Sequence, residues 1–300
     1  MSVVSDKLAH SAKVVRSVLK ERIITALVLL AIILPAMFFG PPELWGAISL
    51  FAVCMAIFEW VRLLSKPSQD FRKSPSAAVP VAALAAGVGV AWMLLVQAFP
   101  GQTLAGLLKI LCASAVAIWL VLGTLALIKV KPMPGGILVA FLLPFICWLA
   151  LLELRRAGIA VLISAMAIVW VADIGAYFCG RAFGKRKLAP RISPGKSWEG
   201  AIGGAFFVVI IALFCAAAPA LNGTLVARLV GHWSGFIAAV CLLGMVALSV
   251  MGDLHESLLK RAAGVKDSGA TLPGHGGFLD RVDALIPTMP LAYLLWVYSV

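Results

Sequence analysis

Nine apolar runs, each about as long as a membrane-spanning helix, follow one another along the chain. They cover residues 23–39, 44–64, 77–99, 104–128, 136–153, 158–179, 200–218, 234–254 and 284–300. A helix of about 20 apolar residues crosses a hydrocarbon core of roughly 30 Å. Turn-forming residues separate several of the runs, among them Gly40, Pro41, Pro42, Pro67, Pro75, Pro100, Gly101, Pro132 and Pro134. The pattern predicts an all-α, polytopic integral membrane protein with about nine transmembrane helices.

Composition supports the membrane assignment and indicates what the basic residues contact. The mean hydropathy is +1.05, 62% of the residues are hydrophobic and 13% are charged, values that exclude an ordinary soluble domain. The net charge is +12, but the basic residues lie between apolar runs and form no single patch. This distribution favours contact with anionic membrane lipids over contact with nucleic acid.

The basic residues also predict an orientation. An odd number of spans puts the two termini on opposite sides of the membrane, and loops rich in Lys and Arg stay in the cytoplasm. Of the 25 basic residues, all fall on the side of the N-terminus except Lys109, Arg155, Arg156 and Arg228. We therefore expect a cytoplasmic N-terminus and two long cytoplasmic loops, 180–199 and 255–282.

The chain divides into three regions by the distribution of its ionisable groups. Residues 1–22 form a basic N-terminal segment, in which Leu8, Ala12, Val15 and Leu19 have the spacing of a helix on a membrane surface, although a solvated tail is equally compatible. No small-residue cleavage site follows the first apolar run, so it is expected to be a retained span. Residues 23–155 are expected to form a scaffold of about five helices, and residues 156–300, which hold most of the ionisable groups, are expected to carry any catalytic site. The six cysteines have no metal or disulfide spacing and are expected to be small core residues.

A first polar cluster begins within the sixth run, where Asp173 lies about two helical turns before Arg181. A carboxylate at that depth is costly unless it is paired, hydrated or bound to a cation, so a functional role is the first hypothesis. A buried ion pair that holds two helices together is the alternative. Gly175, Gly180 and Gly184 are more simply interpreted as points of close helix packing.

A second cluster is the loop KRKLAPRISPGKSWEG, residues 185–200. Gly195, Lys196 and Ser197 resemble the end of a P-loop, but Pro190 stands where the first glycine is required, so this is not a Walker A motif. A turn that presents Ser193, Lys196 and Ser197 can still bind phosphate oxygens. The basic residues 185–187 are interpreted as topology determinants and headgroup contacts.

The third cluster, residues 252–283, is the most polar stretch of the second half. Asp253, Glu256, Ser257 and Lys260 follow helical spacing and share one face, which can hold a divalent cation through oxygen ligands. A glycine-rich turn around His275 comes next, and Asp280 and Asp283 stand three residues apart before the last run. His275 is either a turn residue that contacts backbone or part of the site. Carboxylates and lysines near a flexible turn suit metal-assisted chemistry on phosphates.

These residues resemble the signature of a known family, the phosphatidate cytidylyltransferases or CDP-diacylglycerol synthases. The matching positions are Ser257, Lys260, Arg261, Lys266, Asp267, Pro273, His275, Gly276, Gly277, Asp280, Arg281 and Asp283. The runs SPGKSWEG and ADIGAY are also similar, and the clear resemblance covers about residues 170–300. Ser197 stands where many members have threonine, which keeps the hydroxyl.

The resemblance implies that CTP reacts with phosphatidic acid to give CDP-diacylglycerol and pyrophosphate in phospholipid biosynthesis, at the cytoplasmic face of a bacterial-type inner membrane. It implies Mg²⁺ as cofactor, with a second cation such as K⁺ and a homodimer as further expectations. The metal ligands are expected among Asp253, Asp280, Asp283 and Glu256. Catalytic roles are expected for Asp173, Asp253, Lys260, Lys266, Asp280 and Asp283. Substrate contacts are expected from Ser193, Lys196, Ser197, Ser257, Arg261, Asp267, His275, Gly276, Gly277 and Arg281.

Three other functions compete with this hypothesis. A CDP-alcohol phosphotransferase would need a DGxxAR motif, but Ile174 and Gly175 follow Asp173. A CTP-dependent lipid kinase would share the nucleotide and the membrane without the long signature around His275. A cation-coupled transporter would use Asp173, Asp253 and Asp280 along an ion path near the bilayer midplane.

Overall fold

The computed structural model describes residues 2–64, 77–98 and 102–299, with side chains described in 20–64, 77–98 and 104–299. Its helices are α1 (Ser2–Phe38), α2 (Pro42–Leu64), α3 (Ala78–Ala98), α4 (Gln102–Ile118), α5 (Thr124–Lys129), α6 (Gly136–Ala157), α7 (Ile159–Phe183), α8 (Trp198–Ala217), α9 (Leu225–His232), α10 (Gly235–Ala263), α11 (Leu279–Val282) and α12 (Leu285–Tyr298). A π-helical turn, Trp119–Gly123, joins α4 to α5, and a 3₁₀ turn, Pro219–Leu221, precedes α9. The predicted all-α class is confirmed.

The described residues contain eight helical segments that are long and apolar enough to cross a membrane. They are Lys20–Phe38, Pro42–Leu64, Ala78–Ala98, Leu104–Lys129, Gly136–Ala157, Ile159–Phe183, Trp198–Ala217 and Gly235–Ala263. The ninth predicted run forms α12, whose 14 residues rise only about 21 Å against a hydrocarbon core of roughly 30 Å. The count of nine, and the orientation that follows from it, stay predictions.

Some expectations about the N-terminal half fall outside the described part of the chain. Helix α1 begins at Ser2, so the backbone of the N-terminal segment is helical. The side chains of Leu8, Ala12, Val15 and Leu19 lie outside the described side chains, and the breaks at Pro67, Pro75, Pro100 and Gly101 lie outside the described residues. The choice between a surface helix and a solvated tail therefore stays open.

Helix α6 lies at the centre of the molecule. It packs against α2, α4, α7 and α12, and its residues from Leu143 to Leu152 are buried without a break. Trp148 is fully buried, and its indole N–H donates to the Gly46 carbonyl on α2 at 2.8 Å. A helix that is buried and hydrophobic on every face is expected only where protein surrounds it. Helix α6 thus fixes α2 relative to the second half of the chain.

Helices α7 and α8 approach each other closely through small residues. A Cβ on Gly204 of α8 would overlap the Ala172 carbonyl of α7, and a Cβ on Gly175 would come within 2.9 Å of Phe207. Small residues allow this approach because apolar helices in lipid gain stability from close packing. The packing interpretation of Gly175 is confirmed.

A two-stranded antiparallel hairpin between α7 and α8 departs from the all-helical expectation. Strand β1 (Lys187–Ala189) pairs with β2 (Ser193–Ser197), with Lys187 opposite Ser197. The Ser197 hydroxyl accepts from the Gly200 amide at 3.2 Å and caps α8, and the Glu199 carboxylate accepts from the amides of Lys185 and Arg186. These bonds fix the hairpin to the start of α8, so that Lys196 has a defined direction.

Candidate active site

Two groups of charged side chains meet at the C-terminal half of α10. We call the first the Asp253 cluster, consisting of Asp173, Lys196, Asp253 and Asp283. We call the second the Lys260 cluster, consisting of Glu256, Lys260 and Asp280. The segment 264–278, which joins α10 to α11, is called the signature loop.

The Asp253 cluster joins the hairpin to α10. The Lys196 Nζ lies 2.6 Å from the Asp253 Oδ2, and the Ser257 hydroxyl lies 3.5 Å from the Asp253 Oδ1. Asp173 and Asp283 each interact electrostatically with both Lys196 and Asp253. Three acidic side chains and one ammonium group therefore form this cluster.

The position of Asp283 depends on a close contact between α10 and the start of α12. A Cβ on Gly252 would overlap the Asp283 carbonyl and lie 2.9 Å from the Pro287 ring. Burial raises the pKa of the Asp283 carboxyl to about 8, and the neighbouring Asp253 carboxylate adds to the rise. A carboxyl group with a raised pKa beside other acids is stabilised in its charged form when a cation arrives.

The Asp253 cluster fits a divalent cation of the hard type. Its donors are all carboxylate oxygens, which Mg²⁺ prefers, and Mg²⁺ commonly uses one or two protein carboxylates together with substrate phosphates and water. Among the described residues no group of three or more His, Cys, Asp or Glu side chains is placed to hold a metal ion, so substrate and water would have to supply the other ligands. Asp253 and Asp283, with Asp173 beside them, are the residues that would hold the ion.

A cavity of about 450 Å³ opens beside the Asp253 cluster, between α7, α8, α10 and the hairpin. Asp173, Lys196 and Asp253 line its polar side, and Ala201 and Val250 are among its apolar lining residues. Arg181 also lines it and donates to the Tyr177 hydroxyl at 3.2 Å. The cavity combines ionic and apolar walls, as a binding site for an amphiphile requires.

Both oxygens of Asp280, in the Lys260 cluster, have hydrogen-bond donors. The Lys260 Nζ lies 2.6 Å from the Glu256 Oε2 and 2.7 Å from the Asp280 Oδ1. The Asp280 Oδ2 accepts from the amides of Ser268 at 3.0 Å and Gly277 at 2.8 Å. Burial alone raises the pKa of Asp280, but the hydrogen bonds with Glu256, Lys260 and Gly277 outweigh it and hold the pKa well below its usual range.

The structure thus separates acids that the sequence grouped. Asp253 contacts Lys196, whereas Asp280 and Glu256 contact Lys260. Glu256 and Asp283 interact electrostatically, so the two clusters are neighbours. A direct metal role for Asp280 and Glu256 stays a prediction. Lys260 contacts one oxygen of each acid, the second Asp280 oxygen accepts from backbone amides, and the Glu256 Oε1 has no hydrogen-bond partner among the described residues.

The glycine-rich turn of the signature loop lines a second cavity, of about 560 Å³. Gly274 and Gly276 have positive φ angles of 72° and 83°, and the Leu272 amide donates to the Gly276 carbonyl at 2.9 Å. The cavity's charged and imidazole residues are Arg22, Lys266, Asp267, His275 and Arg281. Three cations against one carboxylate make this cavity suitable for a polyanion.

His275 contributes to this turn through its backbone, and one nitrogen of its ring has no hydrogen-bond partner among the described residues. Its carbonyl accepts from the Arg281 guanidinium. Its Nδ1 is buried without a hydrogen-bond partner among the described residues. A buried polar atom of this kind is uncommon and marks a place where a ligand can supply the missing bond.

The remaining predicted site residues have different surroundings. Ser197 caps α8 and also lines the first cavity. Ser193 lies in β2, and Arg261 is exposed near the end of α10. His255, on the same helix, is buried against Trp60 and Trp119. Its Nε2 accepts from the Met133 amide at 3.3 Å, so its role is structural.

The sequence analysis missed two contributions from the first half of the chain. Arg22 on α1 donates to the Gly274 carbonyl at 2.9 Å, and Thr25 donates to the Pro273 carbonyl at 2.9 Å. Glu59 on α2 is fully buried and bonded to the signature loop. A carboxylate within an apolar run was the signal that singled out Asp173, and the same signal is present at Glu59.

Comparison with known proteins identifies relatives along most of the chain. A sequence model described as the cytidylyltransferase family matches residues 20–299. The phosphatidate cytidylyltransferase of Pseudomonas aeruginosa is 38% identical over 291 residues, which cover 93% of this chain and 97% of the relative. That of Haemophilus influenzae is 37% identical over 296 residues, covering 91% and 96%. That of Brucella suis is 49% identical over 137 residues, covering 46% and 47%.

Proposed function

The chain belongs to the cytidylyltransferase family, and from that membership and its site we propose that it transfers the cytidylyl group of CTP to phosphatidic acid. The products are CDP-diacylglycerol and pyrophosphate, and the reaction serves phospholipid biosynthesis in a bacterial cytoplasmic membrane. The observation that carries the proposal is the contact of Lys196 with Asp253, 2.6 Å apart, on the wall of a cavity with both ionic and apolar sides.

The reaction joins two anions and needs no nucleophile from the protein. An oxygen of the phosphatidate phosphate attacks the α-phosphorus of CTP, the new P–O bond forms, and the bond to the β-phosphate breaks as pyrophosphate leaves. Catalysis of such a displacement consists mostly of positioning and charge stabilisation. The site therefore has to supply cations in the right places and keep the two substrates in line.

The two cavities provide complementary surroundings for the two substrates. The cavity beside the Asp253 cluster suits phosphatidate, because Lys196 and Arg181 can contact its phosphate while Ala201 and Val250 contact the start of its acyl chains. The cavity of the signature loop suits the triphosphate of CTP, because Arg22, Lys266 and Arg281 line it. Lys260 lies with Asp280 at the base of the signature loop, where it can contact a phosphate that approaches from the loop.

A divalent cation fits the acids of the Asp253 cluster. Asp253 and Asp283 would hold it, with Asp173 beside them, and when bound it would withdraw negative charge from phosphate oxygens. The Lys196 ammonium forms an ion pair with Asp253 at 2.6 Å. The lysine is therefore well placed to pass from the carboxylate to a substrate phosphate.

The test is a turnover assay with purified protein, phosphatidic acid and CTP that carries label in the α- or the γ-phosphate. We expect Mg²⁺-dependent entry of the α-label into lipid, with the γ-label recovered in pyrophosphate. Asp253→Asn should reduce the rate by roughly 100-fold or more, because it removes a charge at the reacting centre. Glu43→Gln, a carboxylate near Arg156 at the start of α2, is the matched control and should retain the wild-type rate.

Each alternative outcome has a separate meaning. Entry of the γ-label into lipid would identify a CTP-dependent kinase. Absence of any lipid product from folded protein, with every cation tried, would overturn the proposal and direct the work to cation flux in proteoliposomes.

A further inference from the structure

Glu59 is a buried carboxylate far from the signature loop in sequence and in contact with it in space. It lies in the last turns of α2 and has no exposed surface. A buried charge of this kind is costly unless hydrogen bonds compensate it. Its hydrogen bonds must therefore compensate the cost of burial.

Four donors from one short segment bind the two oxygens of Glu59. Its Oε1 accepts from the Thr271 hydroxyl and from the Phe278 amide at 3.2 Å. Its Oε2 accepts from the Ser268 hydroxyl at 2.8 Å and from the Leu279 amide at 2.9 Å. The carboxylate thus acts as a template around which the end of the signature loop folds.

Two glycines of this segment leave the space that the Glu59 carboxylate fills. A Cβ on Gly269 would lie 2.5 Å from the Glu59 Oε1, and a Cβ on Gly277 would overlap the Oε2. The Phe278 ring also packs edge-on against Phe51 of α2, with ring centroids 5.8 Å apart. Loop and helix are therefore complementary in both hydrogen bonding and shape.

The same segment holds Asp280 of the Lys260 cluster. The Ser268 hydroxyl that reaches Glu59 also lies 2.9 Å from the Asp280 Oδ2, and the Ser268 amide donates to that oxygen at 3.0 Å. Leu279, which donates to Glu59, directly precedes Asp280. Asp280 in turn contacts Lys260 at 2.7 Å. A continuous chain of contacts leads from Glu59 to a cation of the site.

We propose that Glu59 is a positioning residue of the cytidylyl transfer: it touches no substrate and sets the signature loop so that Asp280 directs Lys260. The inference rests on the proposed function for the reaction, but the effect on the loop can be measured without turnover. Glu59→Gln is the informative variant, because it keeps the volume and turns one oxygen that accepts two bonds into an amide nitrogen that faces two donors.

Limited trypsin digestion tests the effect on the loop. Lys266 is an exposed cleavage site within the signature loop, and Lys187 is an exposed site in the hairpin. In Glu59→Gln we expect cleavage after Lys266 to become roughly 10-fold faster while cleavage after Lys187 is unchanged, since the loop loses hydrogen bonds and the hairpin does not. Unchanged cleavage at both sites would overturn the proposal. Glu153→Gln, which removes a partly buried carboxylate paired with Arg156, is the control and should match wild type at both sites.

Turnover then tests the link to the reaction. In Glu59→Gln we expect kcat to fall roughly 10- to 100-fold for protein whose thermal midpoint matches that of Glu153→Gln, because small displacements of catalytic groups are costly. Glu59→Asp keeps the charge and should restore part of the rate. A purely structural role would instead lower the midpoint and leave kcat per folded molecule unchanged, and that result would also overturn the proposal.

A double-mutant cycle decides whether the effect of Glu59→Gln passes through the signature loop. A separate variant serves if Glu59→Gln does not fold. Thr271→Val removes one donor to Glu59, and adding it to Glu59→Gln should cost less than it costs in wild type. If Glu59→Gln cannot be purified, Ser268→Ala should give the faster cleavage at Lys266 and the lower kcat, and wild-type values for both would contradict the inference. A wild-type protein without lipid product defeats the proposed function, while the digestion result still decides the role of Glu59 in the loop.

Discussion

At the scale of single residues, Lys196 is the side chain on which the proposed reaction most depends. It lies 2.6 Å from Asp253 and lines the cavity assigned to phosphatidate, and the hairpin and the cap of α8 fix its backbone. A partly buried ammonium in this position has two possible partners, the carboxylate and a phosphate. Its contribution should therefore appear when phosphatidate is bound.

We predict that Lys196→Ala lowers kcat/KM for phosphatidate by roughly 10- to 100-fold, since hydrogen bonds to charged groups contribute about 1.5–3 kcal/mol. Steady-state rates at varied phosphatidate in mixed micelles provide the measurement. Lys185→Ala, an exposed lysine before the same hairpin, should stay within about twofold of wild type. Equal losses in both variants would mean that general attraction of anions, and not the contact at Asp253, explains the effect.

At the scale of elements, the site depends on how closely α10 approaches the start of α12. Gly252 allows the Asp283 backbone to contact α10 next to Asp253, and the neighbouring proline cannot move aside easily. Two acids from different elements meet there because one position on α10 has no side chain. Packing at Gly252 and chemistry at Asp253 are thus parts of one contact.

We predict that Gly252→Ala destabilises the protein by about 1–3 kcal/mol, as overpacking usually does, and lowers turnover by displacing Asp283 from Asp253. Thermal unfolding in detergent and the α-label assay are the two measurements. Gly244→Ala on the same helix is the matched control, because the nearest atom to its added Cβ is a Leu291 methyl carbon at 3.9 Å. Wild-type stability and rate in Gly252→Ala would show that the close contact is not needed.

The sequence predicted elements well where the signal was local, and it predicted contacts less well. Apolar runs located the eight long helices, but run length could not reveal that the ninth run, 284–300, would follow a separate short helix, α11, and form a helix of only 14 residues. Helical spacing put Asp253 and Glu256 on one face, but it could not tell that Lys196 would contact one and Lys260 the other. Glu59 and Ser268 are 209 residues apart in sequence, and only the packed fold brings them together.

At the scale of the whole molecule, the proposed reaction requires that the site face the compartment that holds CTP. The first cavity is lined by the hairpin and by parts of α7, α8 and α10, and the second is lined by the signature loop that follows α10, with Arg22 and Arg281. Most basic residues were assigned to the side of the hairpin and this loop, which predicts that this side is cytoplasmic. The homodimer expected from the resemblance stays a prediction and does not bear on this orientation.

The orientation can be tested across a single helix. Lys185 and Asn222 are exposed and lie beyond opposite ends of α8, whose 20 residues are long and apolar enough to cross a membrane. We predict that a cysteine at Lys185, in a background with the native cysteines replaced by serine or alanine, reacts with a membrane-impermeant maleimide in inverted vesicles and not in intact cells. A cysteine at Asn222 should react in intact cells and not in inverted vesicles. The reverse pattern would place the site outside the cytoplasm, away from its nucleotide, and would contradict the proposed reaction as well as the orientation. Because only α8 separates the two positions, the result holds whether α12 crosses the bilayer or ends within it.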